Sequence, residues 1–449
     1  MPEDPDAQDL LTDARGLIRE AAWARLLTLV TALHPADLSD LLLELEPDER
    51  AALLPHIPTD VIGGLFEFTE DEEIRELVRE IGIEALPAVL EEVEADVAAD
   101  VIQQLPEREQ AGTIESLDRE EVTDLLQYEE ESAGGLMTPD FVSFPASETV
   151  GGAIRSLRVL RPPSDRAYYL YVTGEGGRLL GTVSIRDLLV SDPETELSEI
   201  TNRDVRSVPA DTDQEEAARL LQRYGLMAAP VVSGTCQLLG VINADDVLEV
   251  LQEEATEDMF RMVGVGDEER IFSPVPMSVR RRLPWMLANT FTAFLAALTV
   301  GLFDETLAKA TVLALFMPVV AGQGGNAGTQ TATIAVRSIA IGDLDVADVL
   351  RACRKEIMVA IANGLAIGLV AGTLAYIWKG NLGLSVILGG ALLLNVCAAT
   401  MAGVLIPLGL KWVRVDPAVA ANIFVTTVTD VMGFLFFLGL GALALSWIT

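Results

Sequence analysis

The chain has 449 residues and a formal net charge of −37, yet a mean hydropathy of +0.35. It is too long for one ordinary domain, and an acidic chain that is apolar on average is a composite of unlike parts. The charge excludes nucleic acid as a partner, because phosphate binding needs basic patches. Cys236, Cys353 and Cys397 lie far apart with no CxxC, which argues against a disulfide framework or a thiolate metal site.

The opening MPEDPDAQDL is acidic and lacks the apolar core of a secretory signal. Residues 1–130 read as short amphipathic helices broken by proline. The stretch ADLSDLLLELEPDER (36–50) resembles ADVAADVIQQLPERE (95–109), each with apolar residues at helical spacing and a proline that ends the helix. A small stack of helical repeats is expected. Asp96 and Asp100 are four apart, on one helix face. A divalent ion between them would relieve their repulsion; a solvated helix face is the plainer reading.

Two similar units follow in residues 137–260. The first has YYLYVT (168–173), a GEGG turn (174–177) and LLGTVSIRDLL (179–189). The second has APVVSGT (229–235) and LLGVINADDVL (238–248). Each reads strand, tight turn, strand, helix, with a further helix ahead of it at 148–160 or 213–225. The pattern resembles a tandem of CBS domains. That resemblance implies a regulatory module in which a Gly-x-x-Ser/Thr-x-x-Asp stretch contacts a nucleotide ribose, so ATP is a candidate ligand. The first copy offers Gly181, Ser184 and Asp187; the second has Gly240, Asn243 and Asp246, without the hydroxyl. The acidic run EVLQEEATEDMF (249–260) then reads as a charge-rich connector, placed to transmit strain toward the membrane.

Residues 283–449 hold eight acids and eight bases, so the whole net charge lies in residues 1–282. Five stretches approach the ~20 apolar residues of a bilayer-crossing helix: 284–303, 311–336, 357–378, 384–410 and 420–447. Arg280, Arg281 and Arg282 precede the first; Arg337, Arg351, Arg354 and Lys355 follow the second; Lys411 and Arg414 follow the fourth. These clusters share one side, so the acidic module is expected in the cytoplasm and the C-terminus outside. The only histidines, His34 and His56, are near the N-terminus, which excludes a His-based site in this half.

The second stretch contains PVVAGQGGNAGTQ (318–330). Its glycines permit close backbone approach or local unwinding beside a wet cavity, or simple small-residue helix packing. Gln323, Asn326 and Gln330 add neutral oxygens. In the fifth stretch Asn422, Thr426 and Asp430 recur at i, i+4 and i+8, one helical face. Asp430 is the only charge in that stretch. A charge at the bilayer centre costs roughly 2.5–3.5 kcal/mol on insertion scales, so Asp430 marks a cation path or else is a protonated structural acid. Oxygen-only ligands suit magnesium, calcium or manganese, and magnesium keeps several of its waters.

With SAGGLMTP (132–139), EATED (254–258), PVVAGQGGNAGTQ (318–330) and VTTVTD (425–430) in this order, the chain resembles the MgtE family of bacterial magnesium channels. The implied fold is mixed: an all-α membrane domain of five transmembrane helices (283–449), behind an acidic helical N domain (1–130), CBS domains at 131–200 and 201–250, and a connecting helix (251–282). The resemblance implies a homodimer in the cell membrane, in contact with lipid, with a pore lined by spans two and five. Asp430 would match the selectivity position, with Asn422, Thr426, Asn326, Gly325 and Gly328 beside it. It further implies a cytosolic magnesium sensor built from Asp96, Asp100, Asp213, Glu215, Asp246, Glu249, Glu254, Glu257, Asp258 and Asp416. Two departures stand out: Gly225 where the family often has an acid, and Glu249 in place of Asp.

The expected function is magnesium uptake, shut by cytosolic magnesium. Transport of manganese or cobalt and a CBS-based sensor without flux are the alternatives. An intramembrane hydrolase needs a nucleophile and base or paired carboxylates, and the spans offer one Asp and no GxSxG; no enzyme is expected. The excess of acids also suits a surface held hydrated in salt-rich surroundings.

Overall fold

The computed structural model describes residues 5–69, 71–117, 119–162, 169–266, 269, 271 and 273–448. The contacts divide the chain into two compact units, Met1–Gln252 and Glu253–Thr449.

In the first unit, proline punctuates the helical stack. Pro35 and Pro47 open the helices Pro35–Glu44 and Pro47–Leu53, and Pro106 caps Glu107–Ser116. Proline is tolerated there because the first turn of a helix has no intrahelical use for its N–H. Ahead of Pro106, helix α1 (Ala95–Gln103) buries Ala98, Val101 and Ile102 and leaves Asp100 in solvent. Leu38, Leu42, Leu65, Leu86 and Leu90 join one apolar core that continues through Ala218, Leu221 and Val231. Arg50, only 5% exposed, donates to Glu80 at 2.7 and 2.8 Å and to Glu76 at 3.2 Å. Burial of the guanidinium is tolerated because its charge is matched.

The two similar units each form a three-stranded sheet. β1 (Ser143–Pro145) runs parallel to β2 (Tyr169–Thr173), which pairs antiparallel with β3 (Leu179–Ser184). β4 (Val208–Pro209), β5 (Ala228–Val232) and β6 (Leu238–Asn243) repeat that order. The register shifts at Val172/Thr173 and at Val231/Val232, equivalent places in the two copies. Tyr168, expected in the first of these strands, lies outside the described residues. Helices α2 (Val150–Leu160) and α3 (Ile185–Val190) belong to the first copy, and α4 (Gln214–Tyr224) and α5 (Ala244–Met262) to the second. Thr149 and Asp213 cap α2 and α4 at matching positions. α5 starts at Ala244, directly after β6, so the acidic connector is the later part of a helix that begins in the second copy.

The second unit is built on α6 (Val275–Gly301), α7 (Met317–Ala340), α8 (Val349–Lys379), α9 (Leu382–Trp412) and α10 (Pro417–Leu443). Among the described residues four helical segments are long and apolar enough to cross a membrane: Val275–Gly301, Val346–Lys379, Leu382–Trp412 and Ala421–Leu443. α7, the expected second span, has 24 residues, but its glycines, amides and threonines keep it less apolar than those four. α9 is the central helix, buried along Leu388, Leu392, Asn395, Ala399 and Gly403. Its neighbour α8 approaches along Gly364, Gly368 and Gly372; a Cβ at Gly368 would meet the Gly389 carbonyl oxygen at 2.7 Å. α6 leaves Phe291, Phe294 and Leu298 exposed, suited to lipid or to another chain.

Gly368→Val should therefore separate α8 from α9 and destabilise the second unit by about 1–3 kcal/mol, the usual penalty of overpacking. Gly409→Ala, with open space at its Cβ, should not. Thermal midpoints of the purified variants in detergent measure the contrast.

Candidate ion path and cation sites

α10 carries Asn422, Thr426 and Asp430 on successive turns, all partly exposed. Beside them Val425 and Thr429 are fully buried. α7 is divided in the same way. Gly324 and Gly328 are buried, and a Cβ at each would meet Asn395 Nδ2 at 2.1 Å or Val425 Cγ1 at 2.6 Å. Gly322 and Gly325 have open space, and Asn326 and Gln330 are exposed. Gly325 and Asn326 thus belong to the open face. Gly328 faces Val425, Thr429 and Ala399, and its small size serves close packing. Thr329 joins the two helices by donating its hydroxyl to Asn422 Oδ1 at 3.1 Å. That bond links the exposed polar residues of α7 with those of α10, and among the described residues no basic side chain pairs with Asp430.

The acids expected to sense magnesium fall into separate settings. Asp96, in the first turn of α1, accepts the Val97 N–H at 3.1 Å. Burial, reinforced by the charge of Asp140, raises its carboxyl above the usual range. Asp246, in the first turn of α5, accepts the Asn243 N–H at 3.1 Å. Burial first, then the charges of Asp245, Asp96 and Glu249, push it up to about 7. The N-terminal stack and the second CBS copy therefore press acids together. Asp100 and Glu249 are exposed nearby in sequence. Among the described residues no three Asp, Glu, His or Cys side chains converge closely enough to hold a metal ion unaided.

The other acids are already engaged. Asp213 caps α4, accepting the Glu215 N–H at 2.9 Å, and Glu215 pairs with Arg219. Glu257 pairs with Arg261, which also donates to Asp416 Oδ2 at 2.9 Å. Asp416 caps α10 with its other oxygen, accepting the Ala418 N–H at 2.8 Å. Arg261 thus places a guanidinium between Glu257 and Asp416. Its signal was in the sequence: Arg261 stands four residues after Glu257 on one helix. Glu254 is partly buried on the same helix, and the Asp258 side chain lies outside the described residues. Gly225 ends α4 with φ +61°, a left-handed conformation that glycine adopts without strain.

Ser184 and Asp187 engage each other. Ser184 Oγ donates to Asp187 Oδ2 at 2.6 Å and accepts the Asp187 N–H at 3.1 Å, capping α3. A small depression with room for about one water lies elsewhere, between the two copies, lined by Asp140, Phe141, Tyr169, Tyr171, Ala228, Val241 and Asn243. The Tyr171 hydroxyl is buried and without a partner among the described residues.

Comparison with known proteins bears on all these features. Residues 317–440 match the MgtE divalent cation transporter model, residues 33–131 the MgtE intracellular N domain, and residues 133–193 and 197–253 the CBS domain. The magnesium transporter MgtE of Thermus thermophilus is 34% identical over 447 residues, covering 98% of this chain and 99% of the relative. That of Bacillus subtilis is 28% identical, covering 94% and 95%. Among solved structures, the cytosolic domain of the Mg²⁺ channel MgtE in complex with ATP is 36% identical with a TM-score of 0.50, covering 54% of this chain and 99% of that one. The soluble part of a magnesium transporter is 28% identical with a TM-score of 0.51, covering 56% and 99%. With near-complete coverage at that identity, and with its N-terminal, CBS and membrane segments each matched in order, the chain belongs to the MgtE family of divalent cation transporters.

Proposed function

We propose that this chain imports magnesium through a pore lined by α7 and α10 and is closed by magnesium on its cytosolic side. The supporting observation is the polar surface joined by Thr329 and Asn422, which carries Asp430 through an otherwise apolar helix. In this reading α7 is a fifth crossing, the N-terminal module is cytoplasmic and the C-terminus lies outside. Two copies place their open faces, Gly325, Asn326, Asn422, Thr426 and Asp430, around one axis. Paired carboxylates attract a dication, while amide and hydroxyl oxygens hold its water, which magnesium gives up reluctantly. Inward flow follows the membrane potential, worth about 2.3 kcal/mol per charge per 100 mV. The role is transport, with no reaction catalysed.

Asp96 and Asp246 fit a regulatory cation best, because both are carboxyls held above their usual range with no counter-charge among the described residues. Magnesium bound there would neutralise the pair and favour the compact, closed state, which is feedback by differential binding to two states. Asp100, Glu249 and Asp140 supply further oxygens at that junction. Asp213 and Glu215, and Glu257 with Asp416, already have polypeptide partners and would have to release them to take a metal. An adenine nucleotide is proposed on the CBS pair at Ser184 and Asp187, which would give up their mutual hydrogen bond to take its ribose. The match to a divalent cation transporter model also admits manganese or cobalt as cargo.

Three outcomes are expected. In proteoliposomes Asp430→Ala should abolish magnesium uptake; uptake at the wild-type rate would remove the ion path from α10. Excess manganese, cobalt or calcium should compete poorly with magnesium flux, and strong competition would favour the other cargo. The third concerns pH. A carboxyl whose folded pKa stands near 7, against about 3.9 unfolded, holds its proton more tightly in the folded state. Its contribution to stability is full at low pH and is lost between about pH 4 and 7, at no more than roughly 1.4 kcal/mol per unit. In chelator, the thermal midpoint of Asp246→Asn relative to wild type should therefore rise between pH 5 and 8. Magnesium should reduce that difference, and a constant difference would contradict the assignment.

A further inference from the structure

α9 carries one amide that neither the sequence expectations nor the ion path accounts for. Asn395 is fully buried in the centre of the second unit. Its Nδ2 donates to the Val320 carbonyl of α7 at 3.0 Å. Its Oδ1 has no partner among the described residues. An unsatisfied buried acceptor costs about 1–3 kcal/mol, so packing alone would be better served by an apolar residue. The amide is seated between two glycines: a Cβ at Gly324 would meet Nδ2 at 2.1 Å, and one at Gly433 would meet it at 2.6 Å. Gly324 lies two residues before Asn326 on α7, and Gly433 three residues after Asp430 on α10. One side chain from a third helix is therefore wedged into both polar helices at the level of their candidate ligands.

We infer that Asn395 is a positioning residue for the ion path, holding α7 at a fixed height against α10 so that Asn326 and Asp430 face one hydrated ion. The assignment rests on the proposed pore. A carbonyl oxygen has two acceptor lone pairs, so the Val320 oxygen can take the amide and keep its place in the helix. Releasing that bond frees the first turns of α7 to slide or rotate. A largely hydrated ion is recognised by oxygens at set distances, so such a shift alters discrimination before it alters folding.

The test uses the full-length protein in liposomes, reading magnesium half-saturation, maximal rate and the ratio of magnesium to calcium flux. Asn395→Ala should lower that ratio roughly tenfold, equivalent to about 1.4 kcal/mol, with a smaller change in maximal rate. The double variant Gly324→Ala, Asn395→Ala refills the slot without restoring the hydrogen bond. It should recover the thermal midpoint and keep the altered ratio, and it carries the same readout should the single variant fail to assemble. Recovery of the ratio in the double variant, or an unchanged ratio in either, would overturn the positioning role. Asp430→Ala run alongside separates the two readings: if it loses uptake while the Asn395 variants discriminate normally, only the positioning role fails, and if it transports normally the pore itself is misplaced.

Discussion

Carboxylates held where water is scarce set the terms for both halves of this molecule. Asp430 sits in an apolar helix with no basic partner among the described residues, and Asp246 sits against Asp245, Asp96 and Glu249, with burial pushing it up to about 7. Burying a carboxyl without a counter-charge disfavours its charged form, and in the proposed reading a visiting cation offsets that. The surroundings differ in the way the two tasks require. In the proposed reading the polar residues on the same face of α10 as Asp430, Asn422 and Thr426, are neutral, which suits an ion in passage that keeps its hydration. Around Asp246 the partners are more acids, which suit an ion that stays and changes the balance between two states.

Glycine makes the membrane arrangement possible. Gly324 and Gly328 let α7 approach α9 and α10, and Gly368 with Gly389 lets α8 reach α9. In lipid there is little hydrophobic force between helices, so close backbone contact and interhelical hydrogen bonds supply the cohesion. The bonds Thr329 to Asn422 and Asn395 to Val320 are two such links. The same glycines that pack one face of α7 leave the amides on its other face free to meet an ion. Packing thus accounts for one face of that stretch, and the proposed ion path takes the other.

The order of domains, the duplicated αβ units and the polar face of α10 were legible in the chain, because each rests on local periodicity and turn residues. The capping roles of Asp213 and Asp416 were not singled out, although Asp followed by a helix is an ordinary cap signal; a resemblance directed attention to metal instead. Asn395 was passed over because one amide in LLLNVCAAT leaves the hydropathy of the segment intact, and its meaning appears only when α7 and α10 converge on it. Ser184 and Asp187 have a spacing that also lets them bond each other and cap α3, a local role the nucleotide pattern alone does not reveal.

Arg261 sharpens the question of what holds the connector to the membrane unit. Its guanidinium bridges Glu257, on the connector helix, and Asp416, the cap of α10. In the proposed reading a fixed cation at that point makes a contact without magnesium, unlike the acid cluster at Asp96 and Asp246. Closure in this reading then needs only a modest bias from bound magnesium, because part of the link is already made by the polypeptide. Such a division of labour keeps the sensing step in the cytosolic unit and the mechanical step at the foot of α10.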